Sequence, residues 1–137
     1  MELQYTIENI DQPARAVIDI AGSGRVVALH GDMGAGKTTL VKAICALFQC
    51  GDTVSSPTFS IINQYQTSEG HPIFHIDLYR LSGDIEAAAA GVQDCIDSGE
   101  YCFIEWPERV LSLLPEDAIH VFITSLSDNL RKLKINL

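Results

Sequence analysis

Residues 25–44, RVVALHGDMGAGKTTLVKAI, constrain the fold of this chain more than any other stretch. The run RVVALH is short and continuously apolar, as a strand buried on both faces of a parallel sheet must be. From Leu40 onward the apolar residues Leu40, Val41, Ile44, Leu47 and Phe48 recur at helical spacing, and Gly51 suits the stop beyond them. Between strand and helix lies G-x-x-x-x-G-K-[ST], carried by Gly31, Gly36, Lys37 and Thr38. In that order the spacing describes a phosphate cradle. The glycines let backbone N–H groups turn inward, and the following helix adds its positive end. Gly31, Gly34, Ala35 and Gly36 would wrap the phosphates, and Lys37 would reach the β- and γ-oxygens. The Thr38 hydroxyl would ligate Mg2+, and Thr39 would add a hydroxyl near the α-phosphate.

The remaining chain supplies a sheet for that unit. Leu3, Tyr5 and Ile7 alternate as a first strand, and Asp11 caps a helix running through Ala14, Val17, Ile18 and Ala21 until the glycines of GSG end it. PTFSIINQYQ and PIFHIDLY read as paired strands joined by TSEGH. DIEAAAAGVQDCIDSG reads as short helices interrupted at Gly91, and YCFIEW as a buried strand ending in a carboxylate. AIHVFITS and LRKLKINL flank LSDN as a closing hairpin. The expectation is one α/β domain over residues 1–137: a phosphate-loop NTPase-like sheet with flanking helices in three layers, closed by a C-terminal β-hairpin.

Charge narrows the choice of partner. Asp and Glu number 18 against 9 Lys and Arg, a net charge of −9. A protein gripping nucleic acid unaided is normally basic, so any RNA-facing charge is expected from a partner. The four cysteines, Cys45, Cys50, Cys95 and Cys102, are spaced too irregularly for a disulfide framework or zinc ribbon and read as small buried hydrophobes. No apolar run approaches the roughly 18 residues of a membrane span, and MELQYTIENIDQP lacks the features of a signal peptide. A cytoplasmic location is the expectation.

Magnesium needs a carboxylate beside Thr38, commonly from the C-terminal end of a neighbouring buried strand. Glu105 in YCFIEW and Asp77 in FHIDLY both fit, and the sequence leaves their roles interchangeable. Glu105 is assigned to the metal side and Asp77 to the attacking water or a switch. SSPTF, residues 55–59, has the hydroxyls of a γ-phosphate-sensing switch or of a capped turn. His75 shares the face of Asp77 and reads as packing, while Trp106 reads as a half-exposed aromatic beside the site. No N-K-x-D occurs and no D-x-x-G follows the loop, which disfavours a GTPase and leaves ATP as the nucleotide.

Four segments in order, GDMGAGKTTL, SSPTFSIINQY, HIDLYRL and IEWPERV, closely resemble the TsaE family of small bacterial ATPases, over nearly the whole chain. The resemblance implies a part in making N6-threonylcarbamoyladenosine in tRNAs that read codons beginning with A. It also implies TsaD and TsaB as partner proteins, tRNA met through their complex, and ATP hydrolysis supporting repeated turnover. By the same resemblance Lys37 and Thr38 match the phosphate and metal positions, Glu105 the metal-linked acid, Asp77 an acid needed for hydrolysis, and Trp106 the tryptophan beside the site. Nucleotide-base contacts would come from near Asp11 and from Arg131, although Leu130 stands where the family often has glycine. Two other readings compete. A small-molecule kinase would need lid arginines, for which only Arg80, Arg109 and Arg131 are available after the loop. A non-catalytic nucleotide-sensing adaptor would leave Asp77 and Glu105 idle.

Overall fold

The computed structural model describes residues 1–22, 26–51, 61–79 and 85–136. Its strands are β1 (Glu2–Tyr5), β2 (Val26–His30), β3 (Ile62–Gln66), β4 (Pro72–Asp77), β5 (Tyr101–Glu105), β6 (Ile119–Ser125) and β7 (Arg131–Asn136). They form one seven-stranded sheet in the order β1-β7-β6-β2-β5-β4-β3. The four central strands β6, β2, β5 and β4 are parallel, and β2, which leads into the glycine loop, lies between β6 and β5. β3 pairs antiparallel with β4 at one edge; at the other the C-terminal hairpin β6–β7 forms as expected, but β1 pairs antiparallel outside β7 and is the edge strand, so the hairpin does not end the sheet.

The helices are α1 (Asp11–Ala21), α2 (Lys37–Leu47) and α3 (Ile85–Asp97). They cover both faces. Ala14, Val17 and Ala21 of α1 and Leu40, Val41 and Ile44 of α2 pack with Val27, Leu29, Ile73, Phe103 and Val121 of the sheet. On the opposite face Val92 and Cys95 of α3, with Val110, pack on Val26, Ile76, Cys102 and Ile104. The alternation along β4 and β5 follows from strand geometry, because successive side chains point to opposite faces. Three layers result. Cys45, Cys95 and Cys102 are buried, all four thiols are free, and burial pushes the Cys45 thiol up to about 12.

Four local expectations are corrected. Ile7 is exposed and begins a 3-10 turn, Ile7–Asn9, in place of extending β1. That turn is tied by the Thr6 N–H donating to Asn9 Oδ1 at 2.6 Å, so Ile10 occupies the cap of α1 and Asp11 is its first helical residue. Gly51 does not stop α2. Gln49 does, at φ 56°, with the Cys50 N–H donating to the Cys45 carbonyl and the Gln49 N–H to the Ala46 carbonyl. Those paired bonds close the last turn by the usual Schellman geometry with a residue that bears a side chain. Finally α3 runs unbroken through Gly91. A Cβ there would come within 3.2 Å of Ile62 Cδ1, so the glycine makes room for β3.

Candidate nucleotide site

The register of the parallel strands assembles the site. Leu29 lies opposite Glu105, and Glu105 opposite Asp77, so the ends of β2, β5 and β4 finish at one level. Open α/β sheets bind ligands at this C-terminal edge. The loop of residues 31–36 springs from it, and α2 begins at Lys37. Gly34 (φ 82°) and Gly36 (φ 107°) occupy backbone conformations that favour glycine. At Gly31 the reason is space, since a Cβ would stand 2.7 Å from the Ile123 carbonyl oxygen. Ala35 is the buried residue of the loop, whereas Thr38 and Thr39 are exposed in the first turn of α2.

Lys37 is 95% buried by its side-chain neighbours, being only 5% exposed. Its Nζ donates to the Gly31 carbonyl at 2.7 Å and lies 3.7 Å from the centre of the Trp106 ring. Burial lowers its basicity below the ordinary lysine value, and the carboxylates of Glu105, Asp77, Glu108 and Asp32 oppose that shift without overcoming it. Trp106 is half-buried, takes a left-handed backbone (φ 59°), and has the Tyr79 ring at 5.2 Å. The aromatic expected beside the site is there, and it packs on the loop lysine.

Behind the loop, Thr38 Oγ1 donates to Glu105 Oε2 at 2.7 Å. His75 Nε2 meets the same oxygen at 2.5 Å. Burial alone would raise the Glu105 carboxyl. The hydrogen bonds of His75 and Thr38, with the His75 and Lys37 charges, outweigh it and hold the group below its ordinary value. Asp77 lies beside Glu105, half-buried, and its Oδ1 accepts the Tyr79 N–H at 3.0 Å. The donors available to a cation are a hydroxyl and an ionised carboxylate. They suit Mg2+, which takes hard oxygens and keeps water and phosphate as its other ligands. Among the described residues no group of three or more His, Cys, Asp or Glu could hold a metal on its own.

On the other flank of the loop, Tyr5, Ile7, Ile10, Gly34, Gly36, Thr39, Asp128, Asn129 and Arg131 line a cavity of about 270 Å³. Arg131 reaches back from β7, donating from Nε to the Ala35 carbonyl at 3.0 Å and from Nη1 to the Ser127 carbonyl at 2.7 Å. It clasps the loop to the β6–β7 turn. Asp11 is exposed at the start of α1, one residue beyond Ile10 of the lining. A smaller cleft of about 200 Å³ on the Lys37 side is lined by Leu29, His30, Gly31, Asp32, Lys37, Trp106 and Glu108. A roomier cavity, about 550 Å³, lies at the far end of the sheet among Leu47, Phe48, Pro72 and Tyr101, remote from all these groups. Size does not locate the chemistry.

The fold thus brings Lys37, Thr38, Glu105 and Asp77 together and sets Arg131 and Thr39 at the adjoining cavity. The segment 55–59 and Arg80 lie outside the described residues. Of three further neighbours, His75 was read from the sequence as packing, and Glu108 and His30 were not singled out. His75 bonds Glu105, and its i, i+2 spacing from Asp77 was the available signal. Glu108, three residues beyond Glu105, faces the lysine cleft. His30, at the end of β2, stacks on Phe122 at 4.4 Å and meets His120 at 2.9 Å.

Fold and site define an α/β protein of mixed sheet whose central strand β2 leads through a glycine loop into α2. The family described as "Threonylcarbamoyl adenosine biosynthesis protein TsaE" matches residues 5–133, and the chain belongs to that family. It is 38% identical over 103 residues to the tRNA threonylcarbamoyladenosine biosynthesis protein TsaE of Haemophilus influenzae, covering 75% of this chain and 65% of that protein, just under two thirds of its length. It is 34% identical over 112 residues to the protein of the same name from Treponema pallidum, covering 82% of each. The crystal structure of Bacillus subtilis YdiB superposes with a TM-score of 0.71 at 25% identity, covering 98% of this chain and 84% of YdiB.

Proposed function

We propose that this protein is a Mg2+-dependent ATPase serving the synthesis of threonylcarbamoyladenosine in tRNA, with TsaB and TsaD as its partner proteins. The observation that carries the reading is the hydrogen bond from Thr38 to Glu105, which joins the first hydroxyl of α2 to an ionised acid at the end of β5. The names of its relatives supply the pathway.

In this reading the backbone N–H groups of residues 31–36 hold the phosphates, and Lys37 exchanges the Gly31 carbonyl for the β- and γ-oxygens. Thr38 and Glu105 hold Mg2+, which when bound neutralises charge developing on the phosphate oxygens. Thr39, Tyr5, Ile10 and Arg131 enclose the nucleoside. Asp77 orients the attacking water and accepts its hydrogen bond. The triphosphate also draws Lys37 from the Trp106 ring, so that aromatic surface changes with the nucleotide state, and a partner protein reads the change.

Phosphate release from the purified protein tests the reading. Asp77→Ala and Glu105→Gln should each cut turnover by roughly 100-fold or more while folded protein still binds nucleotide. Wild-type turnover in both variants would remove hydrolysis from this site.

A further inference from the structure

We propose that His75 is a positioning residue: it orients the Glu105 carboxylate toward Thr38 and so governs Mg2+-dependent nucleotide binding without touching the nucleotide. The inference rests on the metal-side reading of Thr38 and Glu105 given above.

Three observations carry it. His75 is only 3% exposed, on β4, beside β5 and two residues before Asp77. Its Nε2 and the Thr38 hydroxyl converge on one oxygen, Oε2 of Glu105, one from β4 and the other from the first turn of α2. A carboxylate at a strand end can rotate; two donors on one of its oxygens fix the rotation and present the other oxygen in a single direction. The third observation weighs against simple packing. His75 Nδ1 is buried with no hydrogen-bond partner among the described residues. Burying a polar atom unpaired is unfavourable, and an apolar residue would fill the same volume without that cost. The imidazole is therefore explained by what its other nitrogen does. Groups that orient a metal's ligands in this way commonly change metal affinity when removed, by roughly 10–100-fold.

The geometry also supplies the control. A glutamine amide nitrogen falls where His75 Nε2 stands, whereas asparagine is one bond shorter and cannot span to Glu105. Both are neutral, polar and buried at similar cost. Affinity for a non-hydrolysable ATP analogue, measured by titration calorimetry with Mg2+ and again with a chelator, gives the factor by which Mg2+ tightens binding. Thermal unfolding reports whether each variant is folded, and His75→Leu replaces His75→Asn if the latter is not. The expected result is a factor in His75→Gln close to wild type and a factor reduced about tenfold or more in His75→Asn or His75→Leu, with metal-free affinity unchanged in all. On a Glu105→Gln background the His75 substitutions should produce no further loss. A wild-type factor in His75→Asn or His75→Leu, or an equal loss in His75→Gln, would overturn the positioning role alone. Absence of any Mg2+ effect in the wild-type protein would instead overturn the metal-side reading beneath it.

Discussion

Lys37 has its ammonium engaged by two groups that a triphosphate would replace, the Gly31 carbonyl and the Trp106 ring. Lys37→Ala should therefore weaken binding of an ATP analogue by roughly 10–100-fold, the range expected for hydrogen bonds to a charged group. Trp106 emission reports the same event, because nucleotide draws the cation from the ring face; that part of the signal should vanish in Lys37→Ala. Unchanged affinity in a folded variant would mean that the loop does not hold phosphate. Glu105 gives a pH expectation whose sign follows from its lowered value. A carboxyl more acidic in the folded than the unfolded chain contributes stability that is complete above the unfolded value, about 4.3. That contribution is lost as pH falls through the folded value. Urea unfolding between neutral and acid pH should show a shallower decline in Glu105→Gln than in wild type, and identical slopes would contradict the assignment. As for legibility, Glu105 was visible as an acid ending an apolar run, but its bond to a hydroxyl 67 residues earlier was not. No local pattern encodes which oxygen of a carboxylate a distant side chain will choose.

The elements differ in how much local chemistry determined them. β2, the loop and α2 could be read directly, since apolar run, glycines and helical periodicity agree. The end of α2 could not, because Gln49 adopts the left-handed conformation that glycine ordinarily supplies. Relieving that residue should help: Gln49→Gly should raise stability by about 1 kcal/mol, read as a higher urea midpoint at unchanged slope. Gly31→Ala is the opposite case. Its Cβ would meet the Ile123 carbonyl of β6, so a loss of about 1–3 kcal/mol is expected. A null result at Gly31 would mean that β6 and the loop separate more easily than their contact suggests. Gly91 shows why the helix break expected there is absent. An interior glycine costs about 1 kcal/mol of helix propensity, and α3 accepts it because a side chain would crowd Ile62.

At the scale of the whole molecule the net charge is −9, the opposite of the basic balance by which a protein grips nucleic acid unaided. No helix among the described residues is long and apolar enough to cross a membrane. Under the proposed function the isolated protein should hydrolyse ATP slowly, and a TsaB–TsaD complex should bind it in a nucleotide-dependent way and raise its turnover. Phosphate release with and without the complex, alongside reconstituted tRNA modification, measures both. Direct tRNA binding should be weak and should fall steeply with salt, as phosphate contacts release counterions. Stimulation absent with an active TsaB–TsaD preparation would leave an ATPase with another partner.

The sequence by itself determined the glycine loop, the strand before it, the helix after it and the acids at two strand ends. Each is written in contiguous residues whose spacing obeys a backbone period or a turn's steric demand. Tertiary structure alone decided that β4 and β5 lie side by side, placing His75 and Asp77 against Glu105. It alone brought Arg131 from the last strand onto the carbonyl of Ala35, 96 residues away. Strand order and register arise from packing both faces of the sheet at once, a cooperative outcome that no window of sequence contains.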